Sequence, residues 1–389
     1  MKICFIVHDM TVNGGVQRVL HRIASGLSLK NEVHICTFMN DGVEPYYTYN
    51  SKIHFEYLGN YYYKKDVYSR IVRFLCRRFG IVFSDKRVIQ AFYDDKNVSK
   101  LREVLKKNKY DAVVAVQGGT AILLSQIAKT TSGDTRYYGW VHTTFQAYFK
   151  TPNAYNYGEL GIAKKYLHYL DGVVTLTDKD VPIYQEVFNV KTQRIYNPLS
   201  YDSTLISNVE NKHLIFVGRM NKSKGVDFLL EILRRVFNDP ASEGWDCFIA
   251  GDGPELPFAK DKAKEYGIIK QLHFLGNRDD VEELYATSSI MLSTSRWEGF
   301  GLVITEAYAS GLPVVSFRND GPEEIIRDGV DGILIEKYDM NAFANAVLKL
   351  INNLSLRKQY SQCALERAQN FKIEKIIDEW EKMLKNEEN

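Results

Sequence analysis

The chain has 389 residues, of which 45% are hydrophobic and 25% are charged, and its formal net charge is +2. This composition is typical of a water-soluble globular protein and excludes a fibrous or largely disordered chain. The length suits two α/β domains better than one small core. No apolar run approaches the roughly 20 residues that a membrane-spanning helix needs. Residues 1–7 are too short a stretch for a signal peptide, so we expect a cytoplasmic protein.

Cysteine usage agrees with a reducing compartment. The five cysteines show no paired C-x-x-C spacing, and several lie in apolar runs where a thiol packs as a small hydrophobic group. They are Cys4, Cys36, Cys76, Cys247 and Cys363. We therefore predict neither a disulfide framework nor a structural zinc site.

The charge is distributed unevenly along the chain. Residues 1–199 carry 27 Lys and Arg against 17 Asp and Glu, whereas residues 200–389 carry 23 against 31. Much of the N-terminal excess lies in residues 61–87, where basic and aromatic side chains alternate. The basic ones are Lys64, Lys65, Arg70, Arg73, Arg77, Arg78, Lys86 and Arg87.

Within this basic stretch, apolar residues recur at helical spacing, which predicts an amphipathic helix with cationic flanks. They are Val67, Ile71, Phe74, Leu75 and Phe79. Such a helix can lie on an anionic membrane surface, or it can pack on its own domain and leave a solvated basic face. Nucleic-acid binding is not favoured, because no recognition motif accompanies the charge.

The chain begins with a βαβ pattern, which is typical of a parallel sheet. We predict a strand at residues 3–7, a loop at 8–15, a helix at 16–29 and a strand at 32–38. Gly14 and Gly15 precede the helix, a position that suits a phosphate or the edge of a sugar. The dinucleotide fingerprint G-x-G-x-x-G is absent, and a tight turn without a ligand is the alternative.

His142 directly follows a predicted strand at residues 137–141, one of three further strands with 112–116 and 172–176. A strand end delivers a side chain to the edge where α/β sheets bind ligands. A structural histidine is the alternative.

Asp178-Lys179-Asp180 has the D-x-D pattern of some metal sites. We favour a helix cap instead, with Asp178 or Asp180 accepting free backbone N–H groups and Pro182 in the first turn.

The α/β pattern starts again after Asn197-Pro198-Leu199-Ser200, which predicts a domain boundary. A strand at 214–217 leads into a basic, glycine-bounded loop at 218–225 and a helix at 226–236, and strands at 245–251 and 269–275 follow. Arg219 and Lys224 in that loop are placed to put two positive charges on one diphosphate. A solvated basic loop is the alternative.

Residues 289–311 hold the most informative motif. A buried strand at 289–293 leads into a turn with Glu298, and the following helix carries Glu306. The two carboxylates can reach two hydroxyl-bearing rings, while the free amides at the helix start attract an anion between them. An ordinary strand-turn-helix with a solvated glutamate is the alternative.

The C-terminal part continues with a strand at 312–316, a turn into a helix from residue 320, and a strand at 329–335. Helices follow at 341–352, 355–369 and 373–384, and Trp380 lies on the apolar side of the last one. No short repeat is present, which excludes a solenoid.

Together these motifs resemble those of glycosyltransferase family 4. The resemblance spans most of the chain and is strongest over residues 216–335. Its motifs are Gly14-Gly15, Arg219 with Lys224-Gly225, Gly251-Asp252-Gly253-Pro254, Glu298-Gly-Phe-Gly-Leu-x3-Glu306-Ala, Gly311-Leu-Pro-Val-Val, and Gly321-Pro322 with Glu324-Ile325-Ile326.

The resemblance implies an α/β protein of the GT-B type, with two Rossmann-like parallel-sheet domains facing each other across a cleft. The N-terminal, acceptor-side domain would comprise residues 1–199 together with a returning helix at 372–389. The donor-binding domain would comprise residues 200–371. Closure of the two domains would expel water from the site.

The resemblance also implies roles for individual residues. Arg219 and Lys224 would neutralise the donor diphosphate, Glu306 would bind the ribose, and Glu298 would face the transferred sugar. The implied catalytic residues are His142, Arg219, Lys224 and Glu298. The implied donor-binding residues are Gly14, Gly15, Arg219, Lys224, Gly299, Phe300, Gly301, Leu302 and Glu306.

The implied activity is retaining hexosyl or N-acetylhexosaminyl transfer from a nucleotide sugar, most simply a UDP-sugar. The expected acceptor is a glycan or polyprenyl-diphosphate-linked precursor of a cell-surface polysaccharide such as capsule, O-antigen or exopolysaccharide. We expect no metal, no other cofactor and no nucleic-acid partner, and we hypothesise peripheral attachment to the inner face of the cell membrane. The alternatives are another GT-B enzyme, such as a sugar phosphorylase or a UDP-sugar epimerase, and an inactive protein that binds nucleotide sugars.

Overall fold

The computed structural model describes residues 1–39, 42–59, 66–79, 81, 84–93, 95–152, 155–202 and 204–387. The chain forms two compact units. Unit 1 comprises Met1–Pro198 and Ile373–Asn389, and unit 2 comprises Leu199–Lys372. These divisions lie one residue from the sequence-based boundaries.

Unit 1 is built on a seven-stranded sheet in which every pairing is parallel. Its strands are β1 (Lys2–Val7), β2 (Glu32–Thr37), β3 (Ile53–Tyr57), β4 (Ala112–Val116), β5 (Arg136–Trp140), β6 (Gly172–Thr175) and β7 (Thr192–Arg194). Their order is β3-β2-β1-β4-β5-β6-β7. The central strands are continuous apolar runs because helices cover both faces of such a sheet.

The first seven helices all belong to unit 1. They are α1 (Gly15–Leu27), α2 (Val67–Phe79), α3 (Asp85–Phe92), α4 (Asp95–Asn108), α5 (Gly118–Ala128), α6 (Leu160–Tyr166) and α7 (Asp180–Phe188). A short π-helical turn at Gln146–Lys150 follows β5.

Unit 2 repeats the same design with a six-stranded, fully parallel sheet. Its strands are β8 (His213–Val217), β9 (Asp246–Ala250), β10 (Leu272–Gly276), β11 (Ile290–Ser293), β12 (Val314–Phe317) and β13 (Gly332–Ile335), in the order β10-β9-β8-β11-β12-β13. Its helices are α8 (Val226–Phe237), α9 (Leu256–Glu265), α10 (Val281–Ala286), α11 (Leu302–Ala309), α12 (Asp320–Ile325), α13 (Met340–Ile351) and α14 (Leu354–Ala368). The prediction of two Rossmann-like parallel-sheet units is confirmed.

The last helix, α15 (Ile373–Lys385), is part of unit 1. Its Trp380 is fully buried, with ring centroids 4.8 Å from Trp140 and 6.2 Å from Phe5. A Cβ on Gly26 would lie 2.6 Å from Ile377 Cδ1, so the missing side chain lets α1 and α15 approach closely. The C-terminal residues therefore complete the core of unit 1.

Helix α2 packs through a different stripe from the one that the sequence marks as apolar. Its buried residues are Ser69, Val72 and Cys76. Val67, Ile71, Phe74 and Phe79 are exposed instead. Residues 61–65, 80, 82 and 83 of the basic stretch lie outside the described residues, among them the predicted basic side chains Lys64 and Lys65.

The predicted cap at Asp178 or Asp180 is wrong in its details. Helix α7 begins at Asp180, whose backbone N–H donates to Thr177 Oγ1 at 3.3 Å. Asp180 Oδ1 accepts the backbone N–H of Phe145 at 3.1 Å, and Asp178 pairs with Arg194 at 3.0 Å. The hydroxyl of Thr177 thus takes the place that we assigned to a carboxylate.

Some shorter elements differ from the prediction. The strand predicted at 269–275 begins only at Leu272, because Ile269–Gln271 forms a 3-10 turn. Strands β3 and β7 have no counterpart in the prediction. Among the helices of the described ranges, none has the length and apolar character needed to cross a bilayer.

Candidate active site

The predicted donor-binding residues of unit 2 lie in loops at a topological switch point. The strand order reverses between β8 and β11, so the chain leaves these two neighbouring strands in opposite directions. Such a reversal opens a crevice at the carboxyl ends of the strands, where α/β sheets bind ligands. The loop after β8 carries Arg219 and Lys224, and the loop after β11 carries Glu298.

The loop after β8 lies directly against the backbone of the loop after β9. The backbone N–H of Met220 donates to Asp252 O at 2.9 Å. A Cβ on Gly251 would lie 2.0 Å from Gly218 O, and one on Gly253 would lie 2.4 Å from Met220 O. Gly251 and Gly253 also have φ angles of 143° and 155°, which L side chains rarely adopt. Glycine at both positions is therefore required for the two loops to approach this closely.

The backbone around Lys224 is fixed from two sides. Asn221 Oδ1 accepts the N–H of Lys224 at 3.2 Å and caps a 3-10 turn at Lys222–Lys224. Thr294 Oγ1, from the loop after β11, donates to Lys224 O at 3.0 Å. Gly225 follows with φ 65°, and a Cβ there would lie 2.0 Å from Thr294 O. These contacts hold the two loops together directly beneath the lysine.

Lys224 and Glu298 form an ion pair, with Nζ 2.5 Å from Oε2. Their side chains are 24% and 15% exposed, so the pair is partly screened from water and remains reachable from the crevice. Ser295 Oγ also donates to Glu298 Oε2 at 3.3 Å. The structure therefore brings together two predicted site residues that are 74 positions apart in the chain.

Arg219 lies at the start of the same loop, and its side chain is exposed. Within the part of the chain that the structure describes, this guanidinium forms no hydrogen bond or ion pair. It belongs to the same loop as Lys224 and remains available to an anion. Its role on a diphosphate stays a prediction.

Arg296 connects the two loops, and the sequence analysis did not identify it. Its guanidinium forms a bidentate pair, or fork, with the Asp227 carboxylate at 2.6 and 2.8 Å. It also donates to Lys222 O at 2.7 Å. Its backbone N–H donates to Ser223 O at 2.8 Å, and its guanidinium carbon lies 4.0 Å above the Phe228 ring. Arg296 therefore sets the position of the turn that carries Glu298 relative to the turn that carries Lys224.

The electrostatics of the Arg296–Asp227 pair agree with this geometry. Burial raises the pKa of Asp227, but hydrogen bonds and charge from Arg296 outweigh burial and bring that pKa below its ordinary value. The bonded carboxylate raises the pKa of Arg296 in turn. Both groups are thus charged near neutral pH, which keeps the ion pair intact there. No local motif reveals this pairing, because its members are 69 residues apart.

Glu306 lies in α11 and is buried. Ser200 Oγ donates to its Oε1 at 2.5 Å, and the hydroxyl of Tyr285 donates to Oε2 at 3.3 Å. Sequence reasoning predicted Glu306 as a ribose ligand but did not identify Ser200 or Tyr285. The carboxylate is held in one orientation by two hydroxyl donors, the chemistry that a ribose hydroxyl would also offer it.

The start of α11 supplies backbone donors next to Glu298. Gly301 precedes the helix with φ 104°, and Leu302 is its first residue. The first N–H groups of a helix lack intrahelical acceptors, so they point towards whatever lies before the helix. Phe300 is buried, and a Cβ on Gly321 would lie 2.4 Å from its carbonyl oxygen. The segment that includes Gly299 is thereby held against the start of α12.

The predicted residues of unit 1 lie at the corresponding edge of its own sheet. Gly14 precedes α1 in an extended conformation with Gly15 as the first helical residue, and a Cβ on Gly14 would lie 2.4 Å from Gln17 Oε1. Gln17 Nε2 donates to Asp9 O at 2.8 Å and closes the loop after β1. The structure thus provides a closed turn at the start of α1.

His142 follows β5, and its ring centroid lies 4.3 Å from that of Trp140, with the two ring planes tilted by 48°. Its backbone N–H donates to the hydroxyl of Tyr148 at 3.2 Å. Burial lowers the pKa of its imidazole to about 3, so the ring is neutral at physiological pH. Its Nε2 is buried and has no hydrogen-bond partner among the described residues. A neutral imidazole can donate or accept one further hydrogen bond, but it cannot supply positive charge.

Part of the chain matches a known family of proteins. Residues 202–367 match the family model of glycosyl transferases group 1. The matched segment contains Arg219, Lys224, Glu298 and Glu306 and covers most of unit 2. The narrower assignment to glycosyltransferase family 4 stays a prediction.

Two curated proteins are similar over nearly the whole chain. An uncharacterized glycosyltransferase of Haemophilus influenzae is 28% identical over 98% of this chain and 99% of its own length. A Campylobacter jejuni protein is 25% identical over 99% of this chain and 98% of its own length. It is named a GalNAc-alpha-(1->4)-GalNAc-alpha-(1->3)-diNAcBac-PP-undecaprenol alpha-1,4-N-acetyl-D-galactosaminyltransferase.

A solved structure shows the fold. Anabaena HepE in complex with UDP superposes with a TM-score of 0.73 at 18% identity, covering 99% of this chain and all of that chain. The fold of this chain is that of the GT-B glycosyltransferases, as the sequence analysis predicted. Within the described residues, no cluster of three or more His, Cys, Asp or Glu could hold a metal ion.

Proposed function

We propose that this protein is a retaining glycosyltransferase that transfers a hexosyl or N-acetylhexosaminyl group from a UDP-sugar to a precursor of a cell-surface polysaccharide. The observation that carries the proposal is the Lys224–Glu298 pair at the switch point of unit 2. In this proposal Lys224 would be the cation for the diphosphate, and Glu298 would be the carboxylate for the sugar. The family match to residues 202–367 and the similarity to named glycosyltransferases support the same activity.

In this proposal the donor diphosphate lies over the loop after β8. Lys224 and the exposed Arg219 would bind its oxygens and offset the negative charge that develops as the glycosidic bond breaks. The N–H groups at the start of α11 would add neutral donors to the same anion. A bound diphosphate would compete with Glu298 for Lys224, which would release the Glu298 carboxylate to accept hydrogen bonds from sugar hydroxyls.

The remaining donor contacts follow from the positions of the other predicted residues. Glu306 would exchange one of its present hydroxyl donors for a ribose hydroxyl. Gly14 and Gly15 would approach the phosphates, and neutral His142 would bind a sugar hydroxyl. We assign no nucleophilic side chain. Retention would follow if the acceptor attacks on the leaving-group side and the departing phosphate takes its proton, a route that calls for no metal ion.

For the acceptor we propose a polyprenyl-diphosphate-linked glycan. The Campylobacter jejuni relative carries PP-undecaprenol in its name and is similar along its whole length, which supports an acceptor of this class.

The proposal is tested with purified protein and a panel of nucleotides and nucleotide sugars. A ligand that binds only the folded protein raises its midpoint of thermal unfolding by mass action. We expect UDP and one UDP-sugar to raise the midpoint, and we expect slow release of UDP from that sugar nucleotide without acceptor. The variant Lys224→Gln should lose both responses. Lys222→Gln is the matched control, because Lys222 lies in the same turn and its side chain is exposed.

The alternatives predict other outcomes. A phosphorylase would consume the sugar donor only with inorganic phosphate, and an epimerase would convert one UDP-sugar into another without releasing UDP. An inactive binding protein would be stabilised by UDP-sugars but would turn over none of them with any acceptor extract. Absence of stabilisation by every nucleotide would contradict the proposal itself.

A further inference from the structure

Helix α2 exposes an apolar stripe although its packing on unit 1 is already complete. Val67, Ile71 and Phe74 are 69%, 52% and 59% exposed. The opposite side of the helix is buried through Val72 and Cys76. Burying apolar surface is favourable, so a stripe that stays in water on an anchored helix has no role in holding this unit together.

The anchoring of α2 involves more than apolar contacts. Arg77 lies 3.6 Å from the buried carboxylate of Glu159, which also accepts a hydrogen bond from the hydroxyl of Tyr93 at 2.9 Å. A Cβ on Gly158 would lie 2.9 Å from Cys76 O, so the backbone of a neighbouring loop packs directly on the helix. The inward side of α2 is thus tied to unit 1 by charge, hydrogen bonds and close packing.

Positive charge flanks the exposed stripe. Arg70 and Arg78 are exposed, and both lie four residues from Phe74, which places them on its side of the helix. Neither arginine pairs with a carboxylate in the ranges that the structure describes. Lys86 and Arg87 in the first turn of α3 are exposed as well.

The acid nearest to α2 along the chain, Asp66, does not balance this charge, because its carboxylate is hydrogen-bonded at the start of the helix. Its carboxylate accepts the backbone N–H of Ser69 at 2.8 Å and the Ser69 hydroxyl at 2.6 Å. The stripe therefore combines aromatic and branched apolar side chains with arginines on both sides.

We propose that this face of α2 docks on the interface of an anionic lipid bilayer. A helix of 13 residues is about 20 Å long and can lie in the membrane plane. Its apolar side chains would enter the boundary between headgroups and acyl chains, about 5–10 Å deep. The arginines would extend to lipid phosphates while their methylene stems stay with the apolar stripe.

A bilayer fits this face better than a second copy of the chain. A symmetric dimer through α2 would bring Arg70 and Arg78 of both copies towards each other, and like charges in contact are destabilising. A bilayer instead presents many phosphates to both arginines at once. The inference goes beyond glycosyl transfer, and it deepens the proposed function only in that a membrane surface is where a polyprenyl-linked acceptor would be found.

The test is co-sedimentation of the full-length protein with vesicles, in the absence of any sugar nucleotide. We expect binding to vesicles of phosphatidylcholine with phosphatidylglycerol and at least roughly tenfold weaker binding to phosphatidylcholine alone. Arg70→Gln with Arg78→Gln should weaken binding to the anionic vesicles about 25-fold, from about fivefold per arginine near an anionic surface. Ile71→Ser with Phe74→Ser should weaken it at least about tenfold.

Matched controls distinguish binding through this face of α2 from non-specific binding by other exposed residues. Lys106→Gln with Lys107→Gln removes two exposed cations from α4, and Leu29→Ser removes a residue that is 74% exposed after α1. Both should bind vesicles as the wild type does. Far-UV circular dichroism and UDP-induced thermal stabilisation should be unchanged in the α2 variants, which checks their folding and the donor site together.

Three results would overturn the inference. One is equal, negligible binding to both kinds of vesicle. Another is binding to anionic vesicles that the α2 variants do not weaken. The third is a dimer seen by light scattering that Ile71→Ser with Phe74→Ser abolishes, which would assign the stripe to self-association. Vesicle binding without any response to UDP would instead contradict the proposed function and leave the docking face intact.

Discussion

The two units share one sheet design but differ in the chemistry at their switch points. In both, the strand order reverses beside the first strand, between β1 and β4 in unit 1 and between β8 and β11 in unit 2. The loops of unit 2 carry the Lys224–Glu298 pair and the Arg296 fork. In unit 1, the side-chain amide of Gln17 donates to Asp9 O and closes the loop after β1, and Gly14 precedes the helix that follows. Sheet topology thus provides a crevice in each unit, and loop side chains decide what each crevice can bind.

The units also differ in how their cores are completed. Unit 2 is one continuous segment, whereas unit 1 depends on a helix from the far end of the chain. This comparison predicts that changes in α15 act on stability and that changes in the loops of unit 2 act on turnover.

The largest expected effect comes from Trp380→Ala. Loss of a buried aromatic ring that contacts Phe5 and Trp140 should lower the free energy of unfolding by about 3–5 kcal/mol, since the surroundings cannot fill the cavity. Urea unfolding followed by circular dichroism measures this change. Lys382→Ala, at an exposed position of the same helix, should leave stability within about 0.5 kcal/mol. Equal stability of the two variants would show that α15 is not part of the core of unit 1.

Lys224→Gln should lower kcat/KM for sugar nucleotide hydrolysis by about 10²–10³-fold, because it removes a charge aimed at the leaving diphosphate. Lys224→Arg keeps that charge and should recover part of the rate. Lys222→Gln should retain the wild-type rate. Full activity of Lys224→Gln would remove the leading reason for placing the donor diphosphate in this loop.

Arg296→Lys should lower kcat about tenfold with a smaller change in KM, because a lysine cannot form the fork that aligns the two loops. Asp227→Asn should give the same loss, and the double variant should lose little more, since both changes break one contact. Arg278→Lys changes another arginine paired with an aspartate, Asp280, and should have no effect on kcat. Additive losses from the first two variants would contradict a shared positioning role.

The smallest expected effect concerns pH. Because the pKa of His142 is about 3 in the folded chain and near its ordinary value of 6.5 in the unfolded chain, the unfolded state binds more protons between these values. Stability should therefore fall as pH falls from 7 to 5, by about 1–2 kcal/mol from this residue. His142→Asn should reduce that loss, whereas exposed His168→Asn should not. Urea unfolding at pH 7 and pH 5 measures this loss of stability. If His142→Asn loses as much stability between the two pH values as the wild type does, the imidazole is not buried in the neutral form.

Sequence patterns predicted most of the fold because each long element carries its own signal. Strands such as β4 and β11 are unbroken apolar runs, and α8 and α13 repeat apolar residues at helical spacing. Strand β3 was not predicted, since only its first residue is buried and its pattern is weak. The stripe on α2 was identified from its spacing, but spacing does not reveal which of two apolar stripes the domain covers.

The candidate site was predicted only in part. Arg219, Lys224, Glu298 and Glu306 were identified because glycines and strand ends mark their loops. Arg296, Ser200 and Tyr285 were not, because each contributes through a partner far away in the chain. A lone arginine or tyrosine carries no local sign of such a contact.

The amino-acid sequence by itself determined the alternation of strands and helices, the division into two α/β units and the loops that carry the candidate site residues. These properties depend on periodicity and on glycine, which act over a few neighbouring residues. Only the tertiary structure decided that Lys224 pairs with Glu298, that Arg296 joins their loops, that α15 completes unit 1, and that α2 leaves Phe74 in water. These outcomes depend on which distant surfaces are buried together, a question that the packing of the whole chain resolves.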